Sequence, residues 1–136
     1  MIIIADDYAY LTKQLQSMLA RLYREHGEMI ADSRIVICHD VATAIDRFNR
    51  SRTDLTLLVL DLCFGADANA GFAVLEAIAR HELVTRVVIF TAYDFPAARR
   101  RAKELGVDAS RFVGKAEPLD RLKVVIALAL WGGENV

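Results

Sequence analysis

Asp6-Asp7, Asp61, Thr91 and Lys115 each close a short apolar run, and together they supply three carboxylates, a hydroxyl and an ammonium. Carboxylates brought close repel, each raising the pKa of the next. A hard cation with oxygen ligands relieves that repulsion, and Mg²⁺ characteristically takes one or two carboxylates, waters and phosphate oxygens. A lysine and a threonine hydroxyl beside such a cluster are a positive charge and a donor aimed at an anion. The set therefore describes a carboxylate nucleophile that receives a phosphoryl group, while a metal and a lysine neutralise the transferred charge. Any one of these residues alone has a plainer reading; Asp61 by itself could be a carboxylate that caps a turn.

What gathers them is the pattern of elements. Leu55-Thr56-Leu57-Leu58-Val59-Leu60 runs straight into Asp61 and suits a strand buried on both faces of a parallel sheet. Ile2-Ile3-Ile4-Ala5 predicts a first strand, and 34–39, 86–91 and 111–115 predict a second, fourth and fifth. Between them, Leu11, Leu15, Met18, Leu19 and Leu22 mark one face of a helix stopped at Gly27. Asp40 caps a second helix with Val41, Ala44, Ile45 and Phe48, and a third runs from Phe72 to about Glu82. Asp94 is the expected cap of a fourth helix with Pro96 in its first turn and Gly106 at its end; Pro118 opens a fifth that reaches Trp131 before Gly132-Gly133. Strand and helix alternate five times, which is a doubly wound α/β sheet with helices on both faces. In such a sheet the strand ends named above converge on one edge, where ligands bind.

The bulk numbers agree and exclude other classes. A chain of 136 residues, 54% hydrophobic with two prolines, is a single globular unit rather than a disordered one. A formal net charge of −1 offers no electrostatic case for nucleic acid or an anionic membrane. Cys38 and Cys63 lie in or beside apolar runs and read as thiols in a reducing compartment. Neither a secretory signal nor an apolar run of the roughly 18 residues that span a bilayer is present, so the expected location is cytoplasmic.

The order Asp-Asp, Asp, Thr, Lys at the ends of successive strands resembles the receiver domain of two-component response regulators, over essentially all of residues 2–131. The resemblance implies a flavodoxin-like five-stranded parallel sheet in the order 2-1-3-4-5, with a receiver domain at 1–131 and a short tail at 132–136. It implies that Asp61 accepts a phosphoryl group from a histidine kinase or histidine phosphotransfer protein. Mg²⁺ would be held by Asp6, Asp7, Asp61 and the backbone carbonyl of Cys63. Thr91 and Lys115 would bind the phosphoryl oxygens, and Phe112 would be the aromatic that turns inward as Thr91 moves. Such a chain is a regulator and not an enzyme, its only chemistry being its own phosphorylation and dephosphorylation.

Two loops depart from the family's usual pattern. Asp61 is followed by Leu-Cys-Phe-Gly-Ala-Asp-Ala-Asn-Ala-Gly, which is longer than expected and lacks proline; Lys115 is followed by Ala116, with proline only at Pro118, so a trans bond is expected there. These departures keep a second reading open, a binding module of the same fold that works without phosphorylation. A third, a small aspartyl-nucleophile phosphohydrolase, is disfavoured because the position two beyond Asp61, where such enzymes carry a second acid, is Cys63. Cys63 and Tyr93 are weak at orienting an attacking water, which implies slow self-dephosphorylation. His26, His39 and His81 read as structural or surface residues, and Arg99-Arg100-Arg101 with Lys103 as a solvated face. On the last helix, Leu119, Leu122, Val125, Ile126, Ala129 and Leu130 fall on the arc expected to pack on the sheet. Val124, Leu128 and Trp131 form a second apolar stripe there, the expected contact for a homodimer or an output partner.

Overall fold

The computed structural model describes residues 1–132, so the expected tail at 132–136 lies outside the described residues apart from Gly132. Five strands, β1 (Ile2–Ala5), β2 (Ile35–Cys38), β3 (Leu57–Leu60), β4 (Val87–Thr91) and β5 (Phe112–Gly114), form one sheet in the order β2-β1-β3-β4-β5. Every pairing is parallel, and β1 sits between β2 and β3 with Ile4 opposite both Ile37 and Val59. The helices α1 (Ala9–Glu25), α2 (Val41–Arg50), α3 (Gly71–Ala79) and α4 (Pro96–Glu104) fill the four crossovers, and α5 (Leu119–Trp131) follows β5. The expected fold class is the one observed.

Strand alternation divides the core into two layers. Ile2, Ile4, Leu57, Val59, Val88 and Val113 meet Leu15, Met18, Leu19 and Leu22 of α1 and Leu122, Val125 and Ile126 of α5. Ile3, Ala5, Leu58, Leu60, Ile89 and Phe112 meet α2, α3 and α4 on the other side. Both faces being covered is why these strands are apolar without a break. Fully burying one Leu, Ile or Phe contributes on the order of 2 kcal/mol, so the two layers hold the sheet edge against the repulsion of its acids.

The strands are shorter than their apolar runs. Leu55 and Thr56 precede β3 behind a 3₁₀ turn, Arg52–Asp54, and similar turns, Asp32–Arg34, Val84–Arg86 and Ala109–Arg111, lead into β2, β4 and β5. α3 ends at Ala79, not near Glu82, because Glu82 takes φ 57°, which no helix continues. Gly27 (φ 74°) and Gly106 (φ 104°) close α1 and α4 where expected. On α5, Leu122, Val125 and Ile126 are buried, but Leu119 of the expected inner arc is 44% exposed at the helix's first turn. Trp131 corrects the second stripe: it is buried, stacked on His26 at 3.9 Å between centroids and edge-on to Tyr23 at 5.1 Å. Its large ring is satisfied by α1, which leaves Val124 and Leu128 as the exposed part of that stripe. Among the described residues no helix is long and apolar enough to cross a membrane.

Candidate functional site

Backbone pairing continues past the strand ends and aims the polar residues at one another. Asp61 N–H donates to the Ala5 carbonyl at 2.9 Å, setting Asp61 beside Asp6, and Asp6 N–H donates to the Cys38 carbonyl at 3.0 Å. Lys115 N–H donates to the Thr91 carbonyl at 2.8 Å, bringing the ends of β4 and β5 together. Asp6, Asp61 and Thr91 are buried polar residues, Asp7 is exposed, and Lys115 reaches in from the rim.

The side chains then form one network. Lys115 Nζ donates to Asp6 Oδ2 and to Asp61 Oδ2, each at 2.8 Å. Thr91 Oγ1 donates to Asp61 Oδ1 at 2.6 Å and accepts from Tyr93 N–H at 3.1 Å. Cys63 N–H also donates to Asp61 Oδ1 at 3.1 Å. Donors thus converge on both carboxylate oxygens of Asp61, a geometry that suits an anion at that point. Burial pushes the Asp6 carboxyl above its usual range; the Lys115 bond and the Tyr8 N–H oppose this, and the nearby Asp61 charge adds to it. Burial works against the Lys115 charge, yet its two carboxylate partners outweigh it and hold the ammonium above the ordinary lysine value.

The donor set fits a divalent metal. Asp6, Asp7 and Asp61 each offer an oxygen within 4.8 Å of the others. Three carboxylates against the single Lys115 ammonium leave an excess of two negative charges, which a hard dication with oxygen ligands matches.

The long loop after Asp61 is a folded turn. Phe64 and Asp67 exchange backbone bonds at 3.0 and 3.1 Å around Gly65 (φ 60°), and Gly65 N–H donates to Asp7 Oδ2 at 2.6 Å. Gly71 N–H then returns to the Leu62 carbonyl at 2.9 Å. A Cβ on Gly71 would stand 2.2 Å from the Asp61 carbonyl oxygen, so only glycine lets α3 start this close to the site. Sequence reading passed over Gly71, whose signal was a glycine immediately before an apolar helix.

Asp94 is a second correction. The residue preceding α4 is Phe95, with no side-chain cap, and Asp94 instead pairs with Arg99 at 2.6 and 3.0 Å. Phe112 is buried with the Arg99 guanidinium 4.5 Å above its ring centre. The basic run is likewise not all solvated face: Arg101 pairs with Glu76 at 2.7 Å and lies over Phe72. All peptide bonds among the described residues are trans, including the one after Lys115. Glu117 closes that loop instead, its Oε2 accepting from Gly114 N–H at 2.6 Å. Beside the site, Cys63, Ala68, Ala92, Tyr93 and Phe95 line an apolar cavity of about 410 Å³. The three histidines stay outside the cluster: His39 contacts the Asp6 carbonyl, His26 packs on Trp131 and His81 lies against Arg52.

No protein-family model and no curated protein matches the sequence. Solved structures do match in shape. A response regulator receiver domain protein from Clostridium thermocellum superposes with a TM-score of 0.75 at 14% identity, over 98% of this chain and 96% of that one. The non-phosphorylated HemR receiver domain from Leptospira biflexa gives a TM-score of 0.73 at 22% identity, over 95% and 92%. A chain of the CheX-CheY-BeF₃-Mg²⁺ complex from Borrelia burgdorferi gives 0.69 at 20% identity, over 98% and 87%. With five parallel strands ordered 2-1-3-4-5 and five helices, the chain has the fold of response regulator receiver domains.

Proposed function

We propose that the chain is a phosphorylation-controlled signalling switch whose acceptor is Asp61. The observation that carries this reading is the convergence on one carboxylate of Lys115 Nζ, Thr91 Oγ1 and Cys63 N–H, beside two further acids. The Asp61 oxygen forms a bond to phosphorus as the P–N bond to a phosphohistidine of a kinase or phosphotransfer protein breaks. Lys115 and Thr91 then hold the new phosphoryl oxygens. Mg²⁺ bound by Asp6, Asp7, Asp61 and the Cys63 carbonyl would supply charge neutralisation on the transferred group. The fold shared with the Mg²⁺- and beryllofluoride-bearing CheX-CheY complex supports this choice of cation and chemistry. Phe112 and Thr91 form the two-state element that phosphorylation biases. The working location is the cytoplasm, where such kinases act, and Val124 and Leu128 are the surface offered to a second copy or an output partner.

Acetyl phosphate with Mg²⁺ is expected to add one phosphoryl group, seen by intact-protein mass spectrometry and absent from Asp61→Asn. An unmodified native chain would favour the phosphorylation-independent binding module. Decay of the acyl phosphate is expected to be slow, because the Cys63 thiol faces the Ala68 carbonyl and the Tyr93 ring packs on Phe95, leaving neither to orient water. Decay within a minute would contradict this.

A further inference from the structure

Arg99 belongs to none of the roles above, yet it touches both loops that carry them. Its fork pairs with both oxygens of Asp94, and its Nη2 lies 3.9 Å from Glu117 Oε2. Asp94 stands three residues beyond Thr91, on the loop where Tyr93 N–H holds the Thr91 hydroxyl. Glu117 grips Gly114, the residue before Lys115, and Gly114 packs so tightly under Asp94 that a Cβ there would lie 2.5 Å from Asp94 Oδ2. The same guanidinium lies over the Phe112 ring at 4.5 Å, a cation–π contact. Beside Phe112 and Arg99 is a surface cavity of about 270 Å³, also lined by Pro96, Lys103, Val107 and Ala109. A cavity of about 150 Å³ accommodates benzene, so this one is large enough for an outward-turned Phe112 ring.

We propose that Arg99 is a positioning residue for the phosphorylation site, a latch that with Asp94 and Glu117 holds Phe112 inward and keeps the Thr91 hydroxyl on Asp61 before any phosphoryl group is bound. This rests on the reading of Asp61 as acceptor and of Thr91 and Phe112 as its switch. The pairing with Arg99 holds the Asp94 carboxyl below the ordinary aspartate range, as expected for a carboxylate kept charged by its partner. The consequence is preorganisation: ligands that select the inward arrangement bind a population already in it.

The test replaces the six phenylalanines with 4-fluorophenylalanine and assigns the Phe112 ¹⁹F signal by its loss in Phe112→Leu. The native chain should show one Phe112 line, which Mg²⁺ and beryllofluoride move less than they move the line of either variant below. In Arg99→Ala and in Asp94→Asn the line should shift or broaden, return toward its native place with Mg²⁺-beryllofluoride, and accompany roughly three- to tenfold weaker beryllofluoride binding. A native-position Phe112 line and unchanged affinity in both variants would overturn the latch. Failure of the native chain to bind beryllofluoride at all would instead overturn the acceptor reading, and the positioning role with it.

Discussion

At the scale of single residues, the site is an excess of acid held in place by one base. Asp6 and Asp61 share Lys115, while Asp7 accepts from the Gly65 N–H and stands in solvent. A divalent cation completing that set stabilises the folded state by mass action, by about 2.7 kcal/mol at a hundred times its Kd. Thermal unfolding should therefore rise on adding Mg²⁺ and fall again on chelation, and Asp7→Ala should lose the response. A melting temperature equal with and without Mg²⁺ in the native chain would contradict the metal assignment. These acids, with Thr91 and Lys115, were legible in the sequence because each closes an apolar run, and parallel strands must bring such ends to one edge. Asp94 departs from its expected capping role because a helix-capping aspartate and an ion-paired one look alike in sequence, and Arg99 stands only five residues on, in the helix that follows.

At the scale of elements, two close approaches decide what the site tolerates. α3 begins against the Asp61 carbonyl, and a methyl at Gly71 would stand 2.2 Å from that oxygen and 2.6 Å from Leu62 Cα, both backbone atoms that cannot step aside. Gly71→Ala should cost about 3 kcal/mol or more in denaturant unfolding; a loss below 1 kcal/mol would show the loop to be looser than described. α5 offers the complementary case. Trp131 is buried on His26 and Tyr23, so Trp131→Ala should cost about 3–5 kcal/mol. Leu128 is 63% exposed, and Leu128→Ser should change stability by no more than about 0.5 kcal/mol. The helical period predicted the buried arc, but spacing could not separate Trp131 from Val124 and Leu128, because its ring reaches sideways to α1. Strand bounds were overestimated for a related reason: apolar residues such as Leu55 are buried by turns as well as by strands.

At the scale of the whole molecule, one sheet edge unites residues from four of the five strands' ends, and the covalent distance between them is spanned by helices that contribute no acid to the cluster. The alternation of short apolar runs and helical spacing was enough to indicate this architecture, whereas the strand order depended on resemblance. The central claim is that this edge binds a phosphoryl group on Asp61 with a metal. The measurement that tests it most directly is calorimetric titration of beryllofluoride with and without Mg²⁺, for the native chain and for Asp61→Asn. The expected result is saturable binding of one beryllofluoride per chain that requires Mg²⁺ and vanishes in Asp61→Asn. No binding by the native chain, or equal binding by Asp61→Asn, would contradict it.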